Sequence, residues 1–378
     1  MALIKRYIHN TLIKKLEPNK VVVLYGPRQI GKTTLTEEIL KNTKEKYLFL
    51  NGETRNVQKW LSSQEVDTFK QYIADNELLV IDEAQKIDNI GLNLKLIVDH
   101  IKNIKVLATG SSSFELANQI GEPLVGRKWQ FTLYPISQLE LKQYENLNQT
   151  NNNLESRLVY GSYPEVIKAK SNQERKDILN EIADSYLYRD LLEFDEIKKS
   201  QKIIDILKNI AFQIGQEVSI QELSSAVNLN LRTVEKYLDL LEKTFVIKRV
   251  YGFSRNLRKE ISKMSRFYFF DNGIRNAIIQ NFNTLDLRND IGQLWENYIF
   301  MERIKKNEYK NIHTNIYFWR TYDQKEIDLI EERDGILYGY EIKYNENKKM
   351  KPPKGWLETY ENAEFKIINN KNYLDFIT

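Results

Sequence analysis

The sequence contains no cysteine. This absence excludes disulfide bonds, thiolate nucleophiles and zinc sites built from cysteine. Histidine is almost as scarce, because the chain has three histidines, His9, His100 and His313, and they lie far apart. Their spacing does not indicate a metal cluster, and we expect each of them to be a surface or boundary residue.

Long hydrophobic runs are also missing. The longest apolar runs, such as 21–25 and 78–81, are far shorter than the roughly 20 residues that a membrane span needs. Near the N-terminus, Lys5 and Arg6 are not followed by an apolar segment, so no signal peptide is expected. We therefore predict a cytoplasmic protein with no membrane partner.

Neither sign of charge is in large excess. The 378 residues include 56 Lys and Arg against 52 Asp and Glu, which gives a formal net charge of +4. This mild excess permits nucleic-acid binding but does not indicate it, because the distribution of the charge decides. With 42% hydrophobic residues the chain can form several modest cores, and its length suits two or three domains.

The first part of the chain alternates between predicted strands and predicted helices. Residues 21–25 form a continuous apolar run, which is typical of a buried parallel strand, and further buried strands are predicted at 47–50, 78–81 and 105–109. Helical patterns lie between these runs, which predicts a parallel α/β sheet. A polar, asparagine-rich stretch at 142–156 then indicates a flexible boundary.

A phosphate-binding motif (P-loop) follows the first apolar run. Residues 26–33 fit the pattern G-x-x-x-x-G-K-[ST], between a predicted strand and a predicted helix. The glycines let backbone N–H groups surround phosphates, and the positive end of the helix favours an anion. We predict that Lys32 contacts the β and γ phosphates of ATP and that the Thr33 hydroxyl binds Mg²⁺. The predicted nucleotide-binding residues are Gly26, Pro27, Arg28, Gln29, Ile30, Gly31, Lys32, Thr33 and Thr34.

Two acids follow the predicted strand at 78–81. Asp82 ends the apolar run, so we expect it at the carboxyl edge of the sheet, facing Mg²⁺. Glu83 comes next, and a carboxylate there can polarise an attacking water. This favours ATP hydrolysis, with Lys32 and Glu83 as catalytic residues, over phosphate transfer to a small substrate. The alternative is that the two acids only begin a loop.

Other polar residues are also candidates for the nucleotide site. The apolar run at 105–109 ends in hydroxyls, so Thr109 or Ser111 is a candidate sensor of the γ-phosphate. The alternative is that the serines at 111–113 only cap a helix. Arg127 is a candidate catalytic arginine that stabilises charge in its own subunit or in a neighbouring one, although most arginines are simply surface residues.

The segment 218–250 has the spacing of a helix-turn-helix motif. Ser219 is an expected N-cap, with Glu222 three residues later, as a capping box requires. A turn precedes a second helix at 231–243, which has apolar residues on one face. The basic stretch that follows is a candidate wing that grips DNA phosphates without reading sequence; alternatively, its charges are merely solvated. Its basic residues are Lys248, Arg249, Arg255, Arg258, Lys259, Lys263 and Arg266.

The C-terminal region contains a predicted β-hairpin. The dipeptide at 334–335 is Asp-Gly, a strong two-residue turn, and strand patterns lie on both sides of it. If these two residues form the loop, Arg333 pairs with Ile336. This register brings alternate side chains to one face of the sheet, and a slip by one residue would remove them from it. The side chains that converge are Glu326, Asp328, Glu341 and Lys343.

The opposed carboxylates of this hairpin predict a bound cation. Asp328 and Glu341 repel each other unless a positive charge lies between them. We predict Mg²⁺ or Mn²⁺ there, with Glu296 as a further ligand and Lys343 orienting or deprotonating a water. The alternative is a simple cross-strand ion pair between Glu326 and Lys343, without metal and without DNA cleavage.

Taken together, these motifs resemble the AAA-type ATPases of prokaryotes whose C-terminal part is called DUF4143. The likeness is collinear and covers nearly the whole chain. It implies an ATPase core, a winged-helix segment and a C-terminal fold similar to PD-(D/E)xK nucleases. Besides the segments at 26–34, 80–85, 109–113 and 126–127, the motifs that carry it are Gly161-Ser162-Tyr163-Pro164-Glu165, Tyr188-Arg189-Asp190, Phe269-Phe270-Asp271-Asn272-Gly273 and Trp319-Arg320 through Lys343.

The predicted fold class is α/β. A P-loop NTPase parallel sheet is followed by a helical and winged-helix segment and by a C-terminal α+β domain similar to restriction endonucleases. We place the domains at 1–145, 146–275 and 276–378.

Three functions are compatible with these features. The first is a Mg-dependent ATPase that acts as a switch or motor on DNA, with metal-dependent strand cleavage as a further activity. The second is a signalling ATPase that controls assembly, including that of a homo-oligomer, or a protein partner, with a nuclease-like domain that does not cut. The third, a phosphotransferase, is disfavoured by Glu83 beside Asp82.

Overall fold

The structure is a computed structural model. It describes residues 3–110, 123–185, 200–254, 264–321, 325–345, 351–353 and 356–378. The chain forms two compact units, which we describe separately. The ATPase-like unit is formed by Lys5–Tyr134 with Lys243–Phe245, and the second unit by Met1–Ile4, Pro135–Glu242 and Val246–Thr378.

The ATPase-like unit is built on a five-stranded parallel sheet with the order β2-β3-β4-β1-β5. Its strands are β1 (Lys20–Tyr25), β2 (Tyr47–Asn51), β3 (Leu78–Asp82), β4 (Lys105–Gly110) and β5 (Lys128–Thr132). The central strands β1, β3 and β4 are almost entirely buried, as expected for apolar strands covered on both faces. The predicted parallel α/β sheet is thus confirmed.

The helices of this unit precede the first strand or connect strands. They are α1 (His9–Lys15), α2 (Lys32–Asn42), α3 (Arg55–Leu61), α4 (Val66–Ile73) and α5 (Ile90–His100), with a short 3₁₀ turn at Ala84–Lys86. Helix α2 begins directly after the P-loop, where Gly31 adopts a left-handed conformation.

The strand order determines which residues meet at the carboxyl edge of the sheet. Strand β4 lies between β1 and β3, and Leu24 pairs with Thr109 while Ile81 pairs with Ala108. The ends of β1, β4 and β3 are therefore neighbours. This brings the P-loop, Thr109 and Asp82 to one place.

The second unit begins with helices that pack around a large apolar core. Its helices are α6 (Gln138–Leu141), α7 (Leu147–Tyr160), α8 (Pro164–Lys168), α9 (Asn172–Ser185), α10 (Ser200–Phe212), α11 (Ile220–Val227), α12 (Leu231–Lys243), α13 (Asn272–Ile278), α14 (Ile291–Tyr309), α15 (Trp356–Thr359) and α16 (Tyr373–Ile377), with a 3₁₀ turn at Leu285–Leu287.

A seven-stranded mixed sheet forms the rest of the second unit, in the order β12-β11-β10-β9-β7-β8-β6. The strands are β6 (Glu217–Val218), β7 (Ile247–Gly252), β8 (Ser265–Phe269), β9 (Asn315–Arg320), β10 (Glu326–Arg333), β11 (Ile336–Ile342) and β12 (Ala363–Ile368). The pairs β7/β9 and β11/β12 are parallel, and the other neighbours are antiparallel. The sheet thus joins strands from both sides of residue 275, where the sequence analysis places a domain boundary. The predicted domain boundaries stay predictions.

The hairpin between β10 and β11 has the predicted register. Arg333 pairs with Ile336, and Asp334 and Gly335 have φ angles of 52° and 76°. Two successive positive φ angles are the signature of a type I′ turn, which suits Asp-Gly and the right-handed twist of the strands. The register prediction for this turn is confirmed.

The helix pair predicted for helix-turn-helix spacing is formed by α11 and α12. The Ser219 side chain accepts a hydrogen bond from the Glu222 N–H at 3.3 Å, and Asn228 makes the turn in a left-handed conformation. The strands after this pair differ from a free wing, because β7 and β8 have neighbours on both sides in the sheet. DNA contact by this segment stays a prediction.

Within the ranges that the structure describes, no helix combines the length and the apolar character needed to cross a membrane.

Candidate functional site

The P-loop lies between β1 and α2 in the ATPase-like unit. Gly26, Gln29 and Gly31 have positive φ angles of 152°, 55° and 91°. Gly26 also lies against the backbone of Leu133, where a Cβ atom would be 2.4 Å from the carbonyl oxygen. Any larger residue at position 26 would therefore both strain the backbone and clash.

Lys32 is directed back onto its own loop. Its side chain is buried, and Nζ donates to the carbonyl oxygens of Gly26 at 2.9 Å and Pro27 at 2.7 Å. The ammonium is thus held at the loop that the sequence assigns to phosphate. The loop also includes exposed Gln29 and, at the start of α2, exposed Thr33 and Thr34.

Asp82 forms the centre of a hydroxyl and carboxylate cluster. Its Oδ2 atom accepts from Thr33 Oγ1 at 2.7 Å, and its Oδ1 atom accepts from Thr109 Oγ1. Asp82 and Thr109 are buried, with 6% and 0% exposure. Carboxylate and hydroxyl oxygens are the ligands that Mg²⁺ prefers, so the donor set fits this ion.

Glu83 follows β3 in a left-handed conformation, with φ 51°. Its N–H donates to Thr109 Oγ1 at 3.4 Å, and its Oε2 atom accepts from Gln85 Nε2 at 2.5 Å. A non-glycine residue in this conformation is uncommon and is often found at functional sites. Glu83 therefore lies beside the Asp82 cluster with its carboxylate held by Gln85.

Arg127 lies at the opposite edge of the sheet. Its carbonyl accepts from the Val21 N–H at the start of β1, and its Nε atom donates to Asp99 at 2.7 Å. Five residue steps separate Val21 from Gly26, or roughly 16 Å along a strand. Arg127 therefore does not reach the P-loop of its own subunit, and its catalytic role in a neighbouring subunit stays a prediction. The other candidate, Ser111, lies outside the described residues.

An acidic cluster lies on the second unit, where β10 and β11 meet. Lys343 Nζ lies 3.2 Å from Asp328 Oδ2 and 2.7 Å from Glu341 Oε1. Asp328 Oδ2 also accepts from the Ile342 N–H at 2.9 Å. A β-bulge interrupts the pairing of β10 with β9 between Ile327 and Ile330. The hairpin thus brings the two predicted acids and the lysine together.

Arg266 enters this cluster from β8. Its Nη1 atom lies 3.4 Å from Asp328 Oδ1 and 3.8 Å from Glu296 Oε1, and its Nη2 atom lies 2.6 Å from Glu326 Oε2. The positive charge between Asp328 and Glu341 is thus the Lys343 ammonium, and the Arg266 guanidinium pairs with the carboxylates on the other side of Asp328. Sequence reasoning assigned Arg266 to the basic wing and missed this role, because β8 is more than 50 residues away from β10.

Burial changes the acidity of two of these carboxyl groups. Burial, and then the charge of Asp328, raises the pKa of Glu296 to about 8. The same two causes raise the pKa of Glu341 to about 7. Tyr268 donates its hydroxyl to Glu296 Oε1 at 2.8 Å.

The cluster, as arranged, does not fit a bound metal ion. No group of three or more Asp, Glu or His side chains with metal-binding geometry is found within the described part of the chain. Arg266 occupies the space between Asp328 and Glu296. One feature points the other way, since the buried Glu341 Oε2 atom has no hydrogen-bond partner among the described residues. The predicted metal ligands Asp328, Glu341 and Glu296 therefore stay predictions.

The other basic residues of the predicted wing are paired where they are described. Lys248 lies 3.0 Å from Glu242, and Arg249 lies 2.6 Å from Glu235. Both partners are on α12. The remaining basic residues, Arg255, Arg258, Lys259 and Lys263, lie outside the described residues.

Comparison with known families matches three regions of the chain. Residues 18–142 match the AAA domain family, and residues 291–374 match a domain of unknown function, DUF4143. This chain combines an AAA domain with a DUF4143 domain. The resemblance of the motifs to these families is thus confirmed. Residues 151–285, between the AAA and DUF4143 domains, match another domain of unknown function, DUF8612. The AAA domain supports ATP binding, whereas the likeness to nucleases stays a prediction.

Three proteins with similar sequences are uncharacterized. An uncharacterized protein of Methanocaldococcus jannaschii is 25% identical and covers 97% of this chain and 84% of its own. An uncharacterized protein of Mycobacterium tuberculosis is 26% identical, over 88% of this chain and 72% of its own. An uncharacterized protein of Haemophilus influenzae is 25% identical, over 86% of this chain and 83% of its own.

Two solved structures are matched at low scores. A STAND signal-transduction ATPase with a tetratricopeptide repeat sensor, from Pyrococcus horikoshii, has a TM-score of 0.33 and 15% identity, over 80% of this chain and 46% of its own. A RuvB variant of Thermotoga maritima has a TM-score of 0.35 and 16% identity, over 65% of this chain and 88% of its own. At these scores neither structure supports a statement about function.

Proposed function

We propose that the AAA domain binds Mg-ATP at residues 26–34 and hydrolyses it. The observation that carries this proposal is the cluster at the carboxyl edge of the sheet. There, Thr33 from the P-loop helix and Thr109 from β4 both donate to the Asp82 carboxylate at the end of β3. The match to the AAA domain family supports the same conclusion.

Each residue has a distinct role in this mechanism. Thr33 and Asp82 would hold Mg²⁺, and the bound ion would supply positive charge to the phosphates. Lys32 exchanges the carbonyls of its loop for phosphate oxygens. Glu83 polarises the attacking water and accepts its proton, while Gln85 keeps the carboxylate oriented. Arg127 of a neighbouring copy is the candidate for stabilising charge on the transferred phosphate.

The test is equilibrium binding of a fluorescent ATP analogue with Mg²⁺ to the full chain. Lys32→Ala should weaken binding by about 100-fold, because a charged contact and its geometry are lost. Lys41→Ala is the matched control, since Lys41 is an exposed lysine in the last turn of the same helix. Equal affinities of wild type and Lys32→Ala would contradict the proposal.

The first candidate for the role of ATP turnover is that it operates a switch or motor on DNA. Its support is the basic stretch between Lys248 and Arg266, although Arg266 and the described residues Lys248 and Arg249 are paired within the second unit. These ion pairs favour the second candidate, a signalling ATPase that controls assembly or a protein partner. Phosphate release measured with and without duplex DNA separates the two. Salt-sensitive stimulation by DNA supports the first, and DNA-independent turnover supports the second.

Metal-dependent DNA cleavage by Asp328, Glu341 and Lys343 is a further candidate. The buried Glu341 Oε2 atom without a partner among the described residues is the observation that favours it. Because Arg266 stands where an ion would bind, Arg266→Gln should raise the affinity for Mn²⁺, measured by electron paramagnetic resonance. Adding Glu341→Gln should abolish that gain. Equal, weak Mn²⁺ binding by wild type and Arg266→Gln would contradict a metal site here.

A further inference from the structure

Arg6 connects two distant parts of the ATPase-like unit. Its side chain is 6% exposed and lies just before α1. The Nη1 atom donates to the carbonyl of Ile30, inside the P-loop, at 2.9 Å. The Nη2 atom donates to the carbonyl of Tyr134 at 2.5 Å. Tyr134 is the last residue before the chain leaves this unit at Pro135.

The same exit segment, residues 133–134, also contacts the start of the P-loop. The Leu133 N–H donates to the carbonyl of Tyr25 at 2.7 Å, and the Leu133 carbonyl lies so close to Gly26 that a Cβ atom there would be at 2.4 Å. The exit segment is therefore linked to the loop twice. One link is the direct contact at Gly26, and the other is Arg6 at Ile30.

The bond to Ile30 has a consequence for phosphate binding. In a trans peptide the carbonyl and the next N–H point in opposite directions. By holding the Ile30 carbonyl on one side, Arg6 directs the Gly31 N–H to the other side. P-loop phosphate binding depends on such N–H groups pointing inward together. An arginine suits this position because its planar fork can donate to two carbonyls at once, which a lysine cannot do with fixed geometry.

The contact at Gly26 has a consequence for signalling. Lys32 donates to the carbonyls of Gly26 and Pro27 in this structure. A phosphate that takes the lysine removes both of those hydrogen bonds. Gly26, whose carbonyl loses one of these hydrogen bonds, lies directly against Leu133. Phosphate binding in the P-loop should therefore first affect residues 133–134, through which the chain leaves the unit.

We propose that Arg6 is a positioning residue that orients the 30–31 peptide for phosphate binding and couples nucleotide occupancy to the exit segment. This inference rests on the proposed ATP binding at residues 26–34. Arg6 contacts no phosphate in this scheme and acts only through the backbone.

Hydrogen exchange of the full chain, with and without AMP-PNP and Mg²⁺, tests the coupling. In wild type, the nucleotide should slow exchange of the amides at 133 and 134. Arg6→Gln and Arg6→Lys should bind AMP-PNP at least about tenfold more weakly, as expected for loss of charge-assisted hydrogen bonds. Even at saturating nucleotide, these variants should lose the protection at 133 and 134. A merely structural role would leave that nucleotide-dependent difference intact.

The control is Lys5→Gln, an exposed neighbour that should behave as wild type. Should Arg6→Gln fail to fold, Arg6→Lys keeps the positive charge and gives the same comparison. Unchanged affinity and unchanged protection in the Arg6 variants would overturn the inference, and so would a wild type that binds the nucleotide without protection at 133 and 134. A wild type that does not bind AMP-PNP contradicts ATP binding itself, and this inference with it.

Discussion

Thr109 connects the two acids of the nucleotide site. Its hydroxyl donates to Asp82 and accepts from the Glu83 N–H at 3.4 Å. Thr109→Val keeps the shape of the side chain but removes both hydrogen bonds. We expect turnover to fall about 10- to 100-fold, the usual effect of losing a hydrogen bond to a charged group, with a smaller change in ATP affinity. Steady-state phosphate release together with equilibrium ATP binding measures both quantities.

Thr109→Ser is the matched control, because it keeps the hydroxyl and should retain most of the turnover. If the valine variant matched the serine variant in turnover, Thr109 would be only a buried strand residue.

Asp271 is a buried acid whose titration affects stability. It accepts hydrogen bonds from the N–H groups of Ser162 and Gly273, at 2.7 and 2.8 Å. Burial raises its pKa to about 6, against an unfolded value of 3.8. A raised folded pKa means that the stability contribution is fully present below the unfolded pKa and is lost as pH rises through about 6.

The corresponding experiment compares wild type with Asp271→Asn. Between about pH 5 and about pH 7.5, the free energy of unfolding of wild type should fall by roughly 1 kcal/mol more than that of the variant. Urea unfolding at the two pH values measures this difference. Parallel pH profiles would show that Asp271 does not change its protonation in this range. The Asp271→Asn variant also loses an acceptor for one N–H, but this effect does not vary with pH.

Among the elements of the fold, the β10–β11 hairpin depends on its turn. Gly335 has a φ of 76°, and a Cβ atom there would meet nothing within 4 Å, so strain is the sole cost of a side chain. Gly335→Ala should lower the free energy of unfolding by about 1 kcal/mol. Gly292 is the matched control, because it lies in the first turn of α14 with open space around it. Gly292→Ala should be neutral or stabilising by about 0.5–1 kcal/mol.

Thermal or urea unfolding of the two alanine variants gives the comparison directly. Equal stability changes would mean that the turn conformation costs alanine nothing.

Local patterns explain why these elements could be predicted from the sequence. The Asp334-Gly335 turn determines the hairpin register through neighbouring residues, and the register follows from counting. The apolar run of β1 followed by a glycine-rich loop and Lys32 is equally local. In each case the interacting residues lie within about ten positions of each other.

The contacts that sequence reasoning missed are all long-range. Arg266 reaches Asp328 only because β7 joins β9 in parallel and carries β8 into the same sheet. Arg6 reaches Tyr134 across 128 positions. Arg127 is a candidate catalytic residue, but the parallel pairing of β5 with β1 places it at the edge of the sheet where β1 begins, opposite the P-loop. Such pairings leave no periodic signal in the sequence.

For the molecule as a whole, the candidate role of Arg127 in a neighbouring copy predicts self-association. If this arginine completes the site of a neighbouring copy, the specific ATPase activity should rise with protein concentration. Arg127→Ala should lower the maximal activity about 1000-fold, the usual effect of removing a charge-stabilising arginine supplied by a neighbour. Sedimentation of Glu83→Gln with ATP should show an oligomer. A concentration-independent activity, unaffected by Arg127→Ala, would restrict the catalytic machinery to one copy.

We propose above that the AAA domain hydrolyses ATP with Glu83 as the residue that activates water. Mg-dependent phosphate release from ATP by wild type, Lys32→Ala and Glu83→Gln tests it most directly. We predict turnover in wild type and none above background in Lys32→Ala. Glu83→Gln should turn over about 100- to 1000-fold more slowly while still binding ATP. Turnover of Glu83→Gln at the wild-type rate, or of all three proteins at one rate, would contradict the account.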